Sequence, residues 1–289
     1  MTAVRHRLVP YLLLGPGLIW LVLFFVVPMY FMGRLSLETG TLTTGFQFTW
    51  EWSNYSDALS QYDQHFVRSF LYAGAATLLA LLIAYPLAYA IAFRGGKWKN
   101  ALLLAVIAPF FTTYLIRTIA WQTILSDQSP TVDVLKTIGF VSDGGRVLDT
   151  TGSVIAGLTY NFLPFMVLPI YASLESIDKR LVEAGKDLYA SARTTFWRVT
   201  LPLSAPGVVA GVLLTFIPAA GDYINAEFLG SQAQAMIGNV IQSQYLVVNS
   251  YPTAAALSFM FMGLILAVVV IYIRFAGSES IMGDEAGRA

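Results

Sequence analysis

The sequence predicts an all-α membrane protein with six transmembrane helices. Hydrophobic residues make up 56% of the 289 positions and charged residues only 12%, whereas charged residues make up about 25% of a typical soluble domain. A membrane-spanning helix needs roughly 20 mostly apolar residues. Six stretches meet that requirement, at about 11–33, 66–93, 100–125, 152–174, 204–224 and 254–275.

The first apolar stretch is expected to be an uncleaved membrane anchor. Arg5 and Arg7 precede it, as basic residues precede the apolar part of a secretory signal. The stretch is longer than in such a signal, however, and no small-x-small cleavage site follows Met32-Gly33-Arg34.

The distribution of lysine and arginine predicts that both termini lie in the cytoplasm, because positively charged connections stay on that side. Only five cations fall on the other side or within the membrane, in connections that include the acidic segments 34–65 and 126–151. The cytoplasmic cations are Arg5, Arg7, Arg94, Lys97, Lys99, Lys179, Arg180, Lys186, Arg193, Arg198, Arg274 and Arg288. We expect one membrane domain over residues 1–289, with a cytoplasmic segment at about 175–203.

Several kinds of chemistry are excluded by residue content. The chain has no cysteine, so disulfides, thiol catalysis and cysteine metal sites are absent. His6 and His65 are the only imidazoles and lie in separate polar regions, which argues against a zinc site or a Ser-His-Asp triad. The net charge of zero indicates no nucleic-acid partner.

A charged, amphipathic segment separates the fourth and fifth apolar stretches. Asp178 is a plausible N-cap of a helix over about 179–190. Glu183 and Asp187 then lie one turn apart, while Leu181, Ala184 and Leu188 form a second face.

The rest of this segment carries an aromatic pair between cations. Phe196 and Trp197 are flanked by Arg193 and Arg198, and Leu201-Pro202 is expected to end the segment and start the next span. The pattern suits a docking site for another protein. An amphipathic helix lying on the anionic inner leaflet is the alternative.

The spacing of Glu183, Ala184, Val199, Leu201 and Pro202 resembles a known motif. It is similar to the loop by which permease subunits of binding-protein-dependent ABC importers bind their ATPase. That motif reads Glu-Ala-Ala, a glycine four residues after the second alanine, and then Ile-x-Leu-Pro. Here Gly185 replaces the second alanine and Tyr189 the glycine, so the turn after the first helix is expected to be built differently.

Further stretches carry a second resemblance, at Leu14–Gly17, Pro109–Trp121, Phe216–Gly230 and Met236–Ile241. They are similar to the first membrane subunit of spermidine/putrescine importers, whose pattern has a glycine where this chain has Ser231. The resemblance implies a type I ABC importer permease in the bacterial inner membrane. It also implies a second homologous permease, two ATPase subunits and an extracytoplasmic binding protein as partners.

The chain itself contains no nucleotide-binding motif. Gly95-Gly96-Lys97-Trp98 lacks the upstream glycine and the following Ser or Thr of a phosphate-binding loop. We therefore expect a transport subunit that is not an enzyme and holds no cofactor, with ATP and Mg²⁺ bound by the partner ATPase.

A polyamine is a flexible multivalent cation, so a passage for it needs carboxylates and aromatic faces that bind weakly. Asp222, Tyr223 and Glu227 at the end of the fifth span are the main candidates, with Trp121 and Tyr160 as further aromatic ones. Asp222 lies about 27 Å along an ideal helix from Ser204, so an outer interfacial position is an alternative. Pairing between Asp222 and Arg117 is another.

Two other functions remain open at this point. The chain could be a permease for an anion, a sugar or an iron chelate within the same superfamily, in which case charges of a different sign would line the passage. It could also be a proton-coupled carrier that acts alone, although the lack of an internal repeat disfavours that class.

Overall fold

The computed structural model describes residues 14–139, 141–142, 144–187 and 189–276. Short 3-10 turns lie at Gly96–Trp98, Ala108–Phe111 and Gln232–Gln234, and π-helical turns at Val22–Val26 and Phe196–Thr200. The α-helices are α1 (Leu14–Leu35), α2 (Ser53–Arg94), α3 (Lys99–Ile107), α4 (Tyr114–Ile124), α5 (Pro130–Thr137), α6 (Thr151–Glu175), α7 (Lys179–Asp187), α8 (Ala192–Thr195), α9 (Leu201–Gly221), α10 (Ile224–Leu229), α11 (Ile237–Leu246) and α12 (Tyr251–Ala276).

Within the described residues, five helical segments are long and apolar enough to cross a membrane, and a bent pair supplies a sixth candidate. The predicted stretches 66–93, 152–174 and 254–275 lie within α2, α6 and α12. Stretch 11–33 lies in α1 from Leu14 onward, with residues 11–13 outside the described part of the chain, and stretch 204–224 follows the continuous helix Ala192–Gly221 only as far as Gly221. The predicted stretch 100–125 is not one straight helix, because it bends by 93° between Gly96–Phe111 and Tyr114–Ile124. Pro109 lies in the 3-10 turn before the bend, and Thr113 is extended with ψ 146°, so the helical hydrogen bonds stop there.

The contacts divide the chain into two compact units. The first contains the described residues up to Asp63 together with Val240–Gly263, and the second contains Gln64–Asn239 and the described residues from Leu264 onward. The prediction of one membrane domain over residues 1–289 stays a prediction.

The first unit contains a β-hairpin in the long connection after α1. Strand β1 (Glu38–Thr41) pairs antiparallel with β2 (Gly45–Phe48). Gly40 has φ +128°, and a Cβ there would lie 2.0 Å from the carbonyl oxygen of Gly45, so this position requires glycine. The all-α prediction contained no strands, since a hairpin this short leaves little signal in the sequence.

The core of the second unit is built around α6. The helix begins after Thr150, whose hydroxyl accepts a hydrogen bond from the Ser153 N–H at 3.2 Å. Met166, Val167, Ile170 and Leu174 of α6 are buried in one cluster with a stripe of small residues from α2. That stripe is Ala80, Ala84, Ala88 and Ala92, spaced one helical turn apart so that it faces a single side of α2.

Helices α6 and α9 approach each other at two glycines of α9. A Cβ on Gly207 would lie 2.5 Å from the Pro169 carbonyl oxygen, and one on Gly211 would lie 2.8 Å from the Met166 sulfur. Gly207 and Gly211 form a G-x-x-x-G pattern, which brings helix backbones together in membranes. The sequence contains that signal, but we did not predict the contact from it.

Candidate functional site

The predicted docking segment begins with a capped helix. The Arg180 N–H donates to the Asp178 carboxylate at 2.9 Å, so Asp178 caps α7 as predicted. Glu183 and Asp187 are both exposed, one turn apart. The side chains of Ala184 and Leu188 lie outside the part of the chain that the structure describes.

Gly185 is directed toward its own chain. A Cβ at this position would lie 3.1 Å from the Thr195 hydroxyl oxygen and 3.3 Å from the Thr195 methyl carbon, and Thr195 is buried. The missing side chain therefore lets α7 lie close to α8. Gly185 is half-buried, and its predicted part in ATPase coupling stays a prediction.

The turn after α7 has the geometry that a glycine would adopt. Tyr189 has φ +56°, and the Ala190 N–H donates to the Gly185 carbonyl at 3.0 Å. The chain therefore forms a left-handed turn with a tyrosine in it. The expectation that this turn is built differently from that of the family stays a prediction.

The two aromatic residues in the second half of the segment differ in exposure. The Phe196 ring packs against Tyr85 and Tyr89 of α2, at centroid distances of 5.6 and 6.1 Å, whereas Trp197 is 59% exposed. Only Trp197 of this pair therefore presents its ring outward.

The cations of this half, Arg193 and Arg198, are exposed, Leu201 is half-buried and Pro202 is exposed. As predicted, Leu201-Pro202 starts the next span, since α9 begins at Leu201. The helical turns nevertheless run on without a break from Phe196–Thr200 into α9. Pro202 has no N–H, so the helical hydrogen-bond ladder lacks one bond at the junction between the π-helical turn and α9.

The candidate carboxylate Asp222 is buried and caps a helix. It accepts hydrogen bonds from the Ile224 N–H at 3.2 Å, from the Asn225 N–H at 3.0 Å and from the Asn225 side-chain amide at 2.6 Å. These bonds hold the start of α10 after the end of α9. The described residues contain no ion pair between Asp222 and Arg117, so the alternative of direct pairing is not observed.

A buried amide network continues from Asp222 to two other helices. The Asn225 amide donates to the Tyr114 hydroxyl of α4 at 2.5 Å, and the Asn161 amide of α6 donates to the Asn225 oxygen at 3.0 Å. Asn161 and Asn225 were missed in the sequence analysis. Their signal is an isolated amide in an apolar helical stretch, where polar side chains bond between helices.

Glu227 and Tyr223 are the exposed members of the predicted passage set. The Asn239 amide donates to the Glu227 carboxylate at 3.1 Å and to the Tyr223 carbonyl at 3.0 Å, which fixes these two residues relative to one another. Trp121 and Tyr160 form a T-shaped pair with ring centroids 5.3 Å apart, and both are half-buried.

Arg117 is buried against aromatic rings. Its guanidinium carbon lies 4.7 Å from the Phe110 ring centroid and 5.6 Å from that of Tyr114, a cation–π arrangement. The arginine is therefore covered from direct contact with a passing solute. Among the described residues, no cluster of three or more His, Asp or Glu could hold a metal ion.

Residues 76–277 match the family model described as "Binding-protein-dependent transport system inner membrane component". The chain belongs to this family. The permease is 35% identical over 256 residues to the spermidine/putrescine transport system permease protein PotB of Haemophilus influenzae, covering 88% of this chain and 90% of that protein. It is 36% identical over 253 residues to PotB of Escherichia coli K12, covering 86% and 92%.

Solved structures confirm the predicted fold class. The permease matches a chain of a bacterial ABC transporter that imports the acidic polysaccharide alginate, with a TM-score of 0.69, 18% identity and coverage of 95% and 96%. It also matches a chain of the MetNI methionine ABC transporter, with a TM-score of 0.54, 16% identity and coverage of 76% and 94%. The architecture is that of type I ABC importer permeases.

Family membership also confirms that this is a transport subunit and not an enzyme, since the matching relatives are permease proteins of transport systems. It supports a multi-pass protein of the inner membrane. The alternative of a proton-coupled carrier that acts alone is not supported. The expectation of no cofactor in this chain stays a prediction.

Proposed function

We propose that this permease is a membrane-spanning subunit of an ATP-driven importer that takes up polyamines delivered by an extracytoplasmic binding protein. The observation that carries the proposal is the similarity to spermidine/putrescine permeases over nearly the full length of both chains. The chemistry of the exposed residues agrees with it, because the candidate passage presents a carboxylate and the nearby arginine is covered by rings.

In this proposal the permease works with a second homologous permease and two ATPase subunits in the cytoplasmic membrane of a bacterium. The segment from α7 to the start of α9 would contact one ATPase through Glu183, Asp187, Arg193 and Trp197, all of which are exposed. Gly185 and Phe196 would shape that surface from within, because their contacts are with Thr195 and with α2.

The structure suggests different roles for the two candidate carboxylates. Glu227 is exposed and would attract an ammonium group, with Tyr223 beside it as an aromatic face. Asp222 would act mainly through structure, since its oxygens are occupied by the amides that begin α10. A single exposed carboxylate binds a cation weakly, which suits a site that must release its substrate.

Uptake by the reconstituted complex in proteoliposomes tests the proposal. We expect ATP-dependent uptake of spermidine or putrescine when the loaded binding protein is present. Glu227→Gln should lower the uptake rate about two- to fivefold. It removes an interaction between an exposed charge and the cation that contributes roughly 0.5–1 kcal/mol, while the glutamine oxygen still accepts from Asn239. Asp57→Asn, an exposed carboxylate in the other unit, is the matched control and should transport at the parental rate.

Uptake of an anion, a sugar or an iron chelate in place of polyamines would assign the permease to another branch of the superfamily. Uptake by this chain in the absence of any ATPase would contradict the ATP-driven mechanism.

A further inference from the structure

Tyr189 occupies a backbone conformation that suits glycine. Its φ of +56° lies in the left-handed region, where the Cβ of an L-residue comes too close to the following carbonyl oxygen. The Ala190 N–H donates to the Gly185 carbonyl across five residues. This is the 6→1 bond of a Schellman motif, in which Tyr189 holds the position that is usually glycine.

The ring of Tyr189 receives no compensation from the described part of its own chain. The side chain is 99% exposed, so packing does not offset the strain of the turn. A tyrosine side chain also lacks the short polar group with which asparagine or aspartate stabilises a left-handed residue. Strained residues of this kind are concentrated at binding and switch sites.

The turn that carries this ring is fixed on both sides. On the α7 side, Gly185 lies against the buried Thr195 of α8. On the α8 side, the Ser191 hydroxyl accepts from the Thr194 N–H at 3.2 Å, and Phe196 packs on Tyr85 of α2. The ring therefore projects from a supported turn, and its position is set before any partner binds.

The charges next to the ring favour a protein partner over the lipid surface. The carboxylates of Glu183 and Asp187 are balanced by Lys186 and Arg193, so residues 183–193 carry no net positive charge that would attract the anionic lipids of the inner leaflet. An exposed aromatic residue on a rigid support is the type of side chain that dominates the affinity of protein interfaces.

We infer that Tyr189 is an aromatic anchor through which the permease binds its ATPase subunit, and that the strained turn serves to present the ring. This inference rests on the proposed function, which supplies the ATPase as the partner. It adds a contact residue at a position where a glycine would give a less strained turn.

Three variants test the role of the ring. Tyr189→Gly removes the ring and the strain, Tyr189→Phe keeps both, and Trp98→Ala removes an exposed ring from another connection whose backbone has an ordinary φ of −90°. Each full-length permease is purified in lipid nanodiscs. Its thermal unfolding is recorded. The ATPase subunit is first identified as the one that the tagged wild-type permease retains, is then purified separately, and is titrated onto each permease variant.

We expect Tyr189→Gly to weaken ATPase binding at least about tenfold, while its unfolding temperature stays level or rises by about 2–4 °C because the strain is removed. Tyr189→Phe should bind within about threefold of the wild type, since the ring provides most of the contact. Trp98→Ala should match the wild type in affinity.

Parental affinity in Tyr189→Gly would overturn the inference and would leave the lipid interface as the location of the ring. A fall in the unfolding temperature of Tyr189→Gly that accompanies its loss of affinity would also overturn it, because the binding defect would then reflect folding. If the wild-type chain retains no ATPase, the proposed function itself fails, which is a different result from equal binding by wild type and variant.

Discussion

At the scale of single residues, Asp222 shows how burial changes the role of a charged group. The sequence places it at the end of an apolar span, where a carboxylate suggests a binding site for a cation. In the structure its oxygens accept three hydrogen bonds from Ile224 and Asn225. The exposed Glu227 is the better candidate for contact with substrate.

We predict that Asp222→Ala destabilises the permease, because it removes the cap of α10 and leaves the buried Asn225 amide with one acceptor fewer. The expected loss is about 1–2 kcal/mol, which lowers the unfolding temperature by a few degrees. Asp222→Asn should lose less, since asparagine is also a good N-cap. Thermal unfolding in nanodiscs compares the two variants. Equal unfolding temperatures for Asp222→Ala and the wild type would contradict the capping role.

At the scale of elements, close contact between α6 and α9 depends on glycine. Gly207 faces backbone and Cβ atoms of α6, which cannot move aside, whereas the nearest atom to Gly211 is the flexible Met166 sulfur. The two glycines therefore differ in how much an added methyl group costs, although both belong to one G-x-x-x-G pattern.

We predict that Gly207→Ala destabilises the permease more than Gly211→Ala does. An added methyl group in a close contact costs about 1–3 kcal/mol, and Gly207 should lie toward the upper end. Gly74→Ala in α2 is the control, because a Cβ there would meet no atom within 4 Å. Unfolding temperatures and the fraction of monodisperse protein after extraction provide the measurement. A Gly74→Ala defect as large as that of Gly207→Ala would contradict this packing argument.

At the scale of the whole molecule, the open question is which side of the membrane each connection occupies. Lysine and arginine are concentrated in alternate connections, and this bias sets the orientation of membrane proteins. The bend of 93° after Phe111 does not alter the count if the two bent helices together form one span. The prediction is therefore that both termini are cytoplasmic.

Cysteine labelling tests this orientation, since the natural chain has no cysteine. We predict that Asp57→Cys reacts with a membrane-impermeant thiol reagent added outside intact cells and that Lys97→Cys reacts only after the membrane is opened. Both positions are exposed in the structure, so accessibility within the protein does not limit either reaction. The reverse pattern of labelling would show that the chain is inserted the other way round.

The sequence by itself determined the features that depend on local composition. Apolar stretches of about 20 residues predict membrane helices, Asp178 before a helical pattern predicts a cap, and the spacing from Glu183 to Pro202 indicates the permease family. These features depend on neighbouring residues alone, so they can be identified without knowing which parts of the chain meet in space.

Only the tertiary structure decided which side chains are covered by distant parts of the chain. Phe196 and Trp197 are adjacent in sequence, yet α2 covers only the first ring. Asn161 joins the network of Asp222 only because α6 and α10 lie side by side. Burial and hydrogen bonding between helices depend on how distant segments pack, and no local pattern in the sequence specifies that packing.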